Sequence, residues 1–388
     1  MIYSFGANNY FSFKNGFQVS LEFNSKVPKT ISKSRKFSTV LGIKGGNASG
    51  KSNILKSVRF IANFITSTFK DEPEQKIRTR GFFDSTEPTD FYIDFENNGV
   101  RYTYELSVSE KETIREAIYK KISRKTLILE RKYNTIKYRT AELAELDLIT
   151  LKSNASIIDT TLQYNIQNIG NDLSNIHDFF SKIRGNVGAF GLVEDSTIYD
   201  SYHVSKCYHQ WPKALEFAKQ IITRSDLGII DIVIHETTDE DGKPKYFPIF
   251  HHGFGPDKNE AKWLTYWHQS DGTTALFRRL LQYWTTLKQG GTLVMDEFDT
   301  NYHPALLPQL LDLFIDEETN PDNAQLIFTS HNLEIMDYLG KYRTYLVAKE
   351  DSESYCYRLD EIPGDIIRND RSISTLYRDG KLGGVPKI

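Results

Sequence analysis

Eight consecutive residues, Gly45-Gly46-Asn47-Ala48-Ser49-Gly50-Lys51-Ser52, carry the spacing of a phosphate-binding loop. The glycines let backbone N–H groups turn inward around an anion, and a helix opening at the end of the loop adds its positive dipole. Lys51 is placed to reach the β and γ phosphates of a nucleotide, and the Ser52 hydroxyl to ligate magnesium. A second candidate follows far downstream. Thr292-Leu293-Val294-Met295 is an apolar run that ends in Asp296-Glu297, two adjacent carboxylates. At the C-terminal end of a buried strand they face the ligand side of an open α/β sheet. There Asp296 is expected to hold magnesium, usually through water, and Glu297 to orient and polarise an attacking water for phosphoryl transfer.

Local patterns supply the elements that must position these groups. Residues 37–43 are β-prone and run into the glycine-rich loop. Beyond it Ile54, Leu55, Val58, Ile61, Ala62 and Ile65 recur at helical spacing over residues 52–69. Apolar runs at 292–295 and 325–329 read as buried parallel strands separated by a helix over 305–315, and another helix is expected over 273–288. Alternating residues around Lys14-Asn15-Gly16 and Asn97-Asn98-Gly99 predict two hairpins, within 1–24 and 89–108. Helical stretches around 176–183 and 211–222 suggest an inserted, mainly helical lobe. The expected division is 1–140, the first half of an α/β head; 141–225, the lobe; and 226–388, the second half.

The 388 residues are 39% hydrophobic and 26% charged, a globular composition, and the net charge of -3 excludes a uniformly basic nucleic-acid binder. Cys207 and Cys356 are too few and too far apart for a disulfide framework or a cysteine zinc site, which fits a reducing cytoplasm. The N-terminus lacks the pattern of a secretory signal, and no apolar run approaches the roughly 20 residues needed to cross a bilayer. No membrane association is expected. His251, His252, His268 and His303 lack metal-ligand spacing with carboxylates and read as hydrogen-bonded or surface histidines.

Further motifs appear in a fixed order: Ser270-Asp271-Gly272-Thr273 before a predicted helix, Asp296-Glu297, His303-Pro304, and Phe328-Thr329-Ser330-His331 after the next strand. This order resembles the signature motif, Walker B strand and switch histidine of ABC-type ATPases. With Asn9-Tyr10-Phe11-Ser12-Phe13, Asn53 after the phosphate loop, and the tail from Tyr377 to Pro386, the chain is similar to ATPases related to the OLD family, grouped with RecF and SMC heads. The resemblance implies a mixed α/β ABC-type head that binds ATP and Mg2+. It implies that Ser270 and Gly272 clasp the γ phosphate held by another subunit, that Asp299 lies in a subunit-crossing D-loop, and that His331 contacts the γ phosphate and the water. Asp271 stands where transporters carry the first signature glycine, which argues against a transporter subunit. A Q-loop glutamine cannot be placed: Gln75 is early, and Gln163 and Gln167 fall in the expected lobe.

The partners implied by this resemblance are a second copy, in a dimer or higher even-numbered assembly, and a separate effector such as a nuclease or toxin in an antiphage system. The competing expectation is a RecF-like or SMC-like DNA-maintenance ATPase. Two basic stretches could meet DNA: Lys26, Lys29, Lys33, Arg35 and Lys36, and a denser one from Lys120 to Arg139 with Tyr119, Tyr133 and Tyr138 interleaved. Lysine and arginine on solvated edge strands also serve simply to prevent aggregation.

Overall fold

The computed structural model describes residues 1–164, 171–189, 191–193, 200–226, 228–254, 260–364, 366–367 and 371–383. Gln167 and the tail residues Gly384, Val385 and Pro386 lie outside them.

Two large sheets enclose the helix that follows the phosphate loop. One is antiparallel and seven-stranded, in the order Phe17–Ser20, Ile2–Asn8, Thr89–Asn97, Val100–Val108, Thr113–Lys121, Lys125–Lys132 and Thr135–Arg139. Both expected hairpins are in it, because Ala7 pairs with Phe17 and Asn97 with Val100. The other sheet has six strands, in the order Glu353–Arg358, Thr344–Glu350, Val40–Gly45, Gln325–Thr329, Thr292–Met295 and Ile183–Gly185. Its pairings are parallel except for the antiparallel edge strand Glu353–Arg358.

Strand periodicity divides the six-stranded sheet between two cores. Val294 and Ile327 pack toward the helix Lys51–Ser67, whose Ile54, Leu55, Val58, Ile61 and Ile65 are fully buried against Phe91, Ile93 and Phe95 of the antiparallel sheet. Leu293, Met295, Leu326 and Phe328 point the other way, onto the helices Asp271–Gln289 and Leu307–Ile315. Burying each such side chain contributes about 1.5–3 kcal/mol, so the phosphate loop leads from its strand into a helix packed between two apolar sheet faces.

Segment 141–225, expected as an inserted helical lobe, is distributed between these cores. Ile157, Ile158, Leu173, Ile176 and Phe179 join the first, and Val204, Tyr208, Ala214, Ala218 and Ile222 join the second. Ile183, expected at the end of a helix, instead opens the strand Ile183–Gly185, which pairs in parallel with Thr292–Met295. The first part is bolted down by a buried ion pair. Arg131 lies 2.8 Å from Glu116, and Glu116 also accepts from the Tyr104 and Ser156 hydroxyls and the Ile157 N–H. A three-stranded antiparallel sheet, Ile229–Thr238, Pro244–Phe254 and Glu260–Thr265, leads into the helix that begins at Asp271. No helix among the described residues is long and apolar enough to cross a membrane.

Candidate active site

The loop after Val40–Gly45 is shaped by close approach. A Cβ on Gly45 would come within 2.2 Å of the Val347 carbonyl and 2.7 Å of Ser49 Oγ. Gly50 adopts φ +108, a conformation open to glycine, and one on Gly50 would meet Ser12 and Ser354 hydroxyls at 2.8 and 2.9 Å. Ser354 Oγ donates to the Ser49 carbonyl at 2.6 Å, and Asn53 donates to Ser12 Oγ at 3.1 Å, which ties the loop to both flanking segments.

The helix Lys51–Ser67 has no side-chain cap and no acid in its first turn. Its leading N–H groups and positive dipole end are therefore left for an anion. Lys51 Nζ donates to the Gly45 and Gly46 carbonyls at 3.0 and 2.9 Å, so its ammonium already lies inside the loop. Burial lowers its pKa, opposed by the nearby charges of Asp296 and Glu297. Ser49 Oγ is buried with no hydrogen-bond partner among the described residues, a polar atom an arriving phosphate would satisfy. Gly50, Lys51, Ser52 and Asn53 open on a cleft of about 450 Å³ whose rim carries Phe83 and Arg80. Asn47, at the exposed tip of the loop, is not among the residues lining that cleft.

Across the sheet, Thr329 organises both carboxylates. Its hydroxyl donates to Asp296 Oδ1 at 2.5 Å and accepts from the Glu297 N–H at 2.8 Å. Glu297 itself holds φ +49, a sparsely occupied conformation for a residue with a side chain. Such strain persists only where the surroundings fix it. Glu297 Oε1 lies 4.0 Å from His331 Nε2, with both side chains half-exposed. Asp299 reaches across to the switch segment, accepting from the His331 N–H at 3.1 Å and the Asn332 N–H at 2.9 Å. In the single chain Asp299 thus holds the segment bearing His331.

Several contributors were not assigned a role from the sequence. Asn186, 1% exposed, donates to the Asp296 carbonyl at 2.9 Å and accepts from the Asp296 N–H at 2.8 Å, a two-point clamp on the Walker B backbone. Only its position after a three-residue strand marks it, and no local pattern reveals that. Lys44, just before the loop, is 6% exposed and donates to the Ser330 carbonyl at 3.1 Å. Burial lowers its pKa to about 8, with Asp299 opposing and Lys51 reinforcing the shift. Of the Q-loop candidates, Gln75 sits in a turn where its carbonyl accepts from Asn154, and Gln163 is exposed at a helix end.

Ser270 and Gly272, the candidate signature residues, do not line the phosphate-loop cleft. Ser270 caps the helix Asp271–Gln289 by accepting from the Thr273 N–H at 3.2 Å, and the Thr273 hydroxyl donates to Asp226 at 3.0 Å. A Cβ on Gly272 would meet the Asn301 carbonyl at 2.9 Å. Ser270 and Gly272 line a separate pocket of about 570 Å³ with Asn301, Tyr302 and His303. No residue lining it also lines the phosphate-loop cleft.

Fewer than half of the residues in the basic stretches enter ion pairs. Lys120 meets Asp172, Lys125 meets Glu105, Arg139 meets Asp147, and Arg131 is the buried partner of Glu116. Lys33 and Arg35 face Asp316 and Glu317. Lys121, Arg124, Lys132 and Lys137 stay exposed, beside the exposed rings of Tyr133 and Tyr138.

Sheet order, phosphate loop, paired carboxylates and switch segment together define an ABC-type ATPase head. The chain belongs to the AAA-domain family described as putative AbiEii toxin, Type IV TA system, whose profile matches residues 40–337. No curated protein matches the sequence. Among solved structures, an SMC head bound to the C-winged helix domain of ScpA aligns at TM-score 0.51 and 13% identity, over 92% of this chain and 96% of that one. The SMC head with an extended coiled coil from Pyrococcus furiosus, bound to the C-terminal domain of ScpA, aligns at 0.49 and 13%, over 93% and 97%. The Thermotoga maritima SMC head gives 0.45 and 13%, over 92% and 98%. At such identity the first of these speaks to the fold alone.

Proposed function

We propose that two copies of this chain meet head to tail, that each ATP is enclosed by the phosphate loop of one copy and Ser270 and Gly272 of the other, and that hydrolysis reopens the pair. The observation that carries this reading is the separation of the two pockets within one chain. A helix N-terminus bearing a hydroxyl is a ready anion site, yet here its pocket shares no lining residue with the cleft at the loop that would hold the anion. A second copy brings the halves together.

The residues present fit a magnesium-bound nucleotide. Magnesium would be held by Ser52 and by the Asp296 oxygen that Thr329 leaves free, and would neutralise charge on the phosphates. Lys51 exchanges its two loop carbonyls for the β and γ phosphate oxygens. Gly45, Asn47, Ser49, Gly50 and Asn53 belong to the loop that surrounds them. Glu297 orients the attacking water and draws off its proton as the bond to the γ phosphorus forms. The bond from the γ phosphorus to the bridging oxygen breaks, leaving ADP and phosphate. His331, beside Glu297, contacts the γ phosphate and the water, and Asp299 holds His331 in place.

In a cell this cycle would act as a switch on a separate effector, a nuclease or toxin, in an antiphage system. The family description, putative AbiEii toxin of a Type IV TA system, supports a place in a two-component system. The second reading, a DNA-maintenance ATPase, is favoured by the exposed Lys121, Arg124, Lys132 and Lys137 beside the exposed rings of Tyr133 and Tyr138. Weakening of DNA affinity with rising salt would support phosphate contacts.

The deciding experiment is the mass in solution of wild type and Glu297→Gln, with and without ATP and magnesium, alongside phosphate release. Glu297→Gln keeps the side-chain shape but lacks the polarising charge, so it is expected to bind ATP and accumulate as a dimer that wild type releases on hydrolysis. Undiminished turnover in the variant would remove Glu297 from its role. If neither assembly nor turnover responds to ATP, the switch reading fails.

A further inference from the structure

We propose that Lys44 is a positioning residue that grips the switch segment 330–332 from behind the phosphate loop and thereby sets the working position of His331. The inference rests on the ATPase reading above and assigns a part of that site no motif describes.

The strand Val40–Gly45 alternates between the two cores. Leu41 and Ile43 face the phosphate-loop helix, whereas Val40 joins the opposite core. Gly42 also faces that way, since a Cβ there would meet Leu339 at 2.5 Å and Phe328 at 3.3 Å. Lys44 shares this parity, so an ammonium occupies a register where the neighbouring even positions are apolar or bare. Its stem and charge are buried, and the Ser330 carbonyl is one acceptor for three donors. A lysine held this way weakens the fold by its desolvation, and an apolar side chain of similar length would fill the same space without that cost.

What the ammonium does there is visible in its neighbours. Lys44 holds the carbonyl of Ser330, and Asp299 holds the next two N–H groups, of His331 and Asn332. Ser330 Oγ adds a bond from the Asn332 N–H at 3.0 Å. The three-residue segment is thus gripped through its backbone from a residue adjoining the phosphate loop and from a residue two positions beyond Glu297. His331 is the only member whose side chain is left to meet Glu297. Lys44 acts on His331 through the Ser330 carbonyl.

The test uses the full chain as Lys44→Met, Asp299→Asn and the double variant, with ATP affinity, kcat and hydrogen exchange of the 330–332 amides as readouts. Lys44→Met should fold as well as wild type, bind ATP within about threefold, and lose tenfold or more in kcat, because the grip serves turnover rather than binding. The double variant should fall no further than the worse single one, the non-additivity expected of residues holding one segment. The His331 and Asn332 amides should exchange about tenfold faster or more in Lys44→Met. Unchanged exchange and kcat would overturn the proposal, and so would a loss of ATP affinity as large as the loss of kcat. If wild type binds ATP without turning it over, the ATPase reading fails, and the exchange comparison alone still decides the role of Lys44.

Discussion

The paired carboxylates owe their geometry to one hydroxyl. Thr329 Oγ1 donates to Asp296 and accepts from the backbone of Glu297, so a single side chain fixes both the candidate metal ligand and the unusual φ of the candidate base. Thr329→Val keeps the shape and removes the hydroxyl, leaving the part-buried Glu297 N–H and one buried Asp296 oxygen without this partner. The expected cost is about 1–3 kcal/mol of stability, read as a lower Tm, with a loss in kcat larger than any loss in ATP affinity. Equal kcat in the variant would show that Glu297 holds its conformation without this bond. The carboxylates were legible in the sequence because an apolar strand ending in Asp-Glu is a local pattern. Thr329 stood in the sequence beside Ser330 and His331, but its bonds depend on parallel pairing between Thr292–Met295 and Gln325–Thr329, which no single stretch displays.

Among the elements, strand, loop and helix around Lys51 were readable because glycine spacing and a helical apolar stripe are contiguous. The hairpins were readable from Asn-Gly turns flanked by alternation. The strand Ile183–Gly185 was not. It has three residues, its apolar side chain continues the helical spacing of Ile176 and Phe179, and its partner lies more than a hundred positions away. Misreading it hid Asn186. Asn186→Ala should free the buried N–H and C=O of Asp296, at a cost of about 1–3 kcal/mol per orphaned group. ATP affinity should then drop more in magnesium than in its absence, because Asp296 is the group displaced. Titration with and without magnesium checks this; an equal drop in both would mean that Asn186 supports the whole sheet edge rather than the Walker B carboxylate.

For the whole molecule, the separated half-sites make a prediction that no single-chain mechanism shares. Lys51→Ala lacks the phosphate-loop charge, and Ser270→Ala lacks the signature hydroxyl, so each alone should be inactive. Mixed in equal amounts, half the pairs are mixed, and each mixed pair holds one intact site. Turnover should return to about a quarter of the wild-type rate if pairing is random in a two-fold dimer. No recovery on mixing, with both variants folded, would place both halves of the site within one chain.

The central sheet also bears on how the molecule is made. The strand leading into the phosphate loop lies between strands from the far end of the chain, and Lys44 and Ser330, which touch, are 286 positions apart. During synthesis that strand emerges with both edges unpaired and waits until Gln325–Thr329 and Thr344–Glu350 have been made. Contacts of such long separation form late and slowly, and uncovered strand edges invite mispairing in the interval. Ligand can stabilise only the state it binds, so ATP offers a growing chain no protection until the segment bearing His331 has left the ribosome. The commitment to fold and the capacity to bind nucleotide therefore arrive together, once Gln325–Thr329 and Thr344–Glu350 have been made.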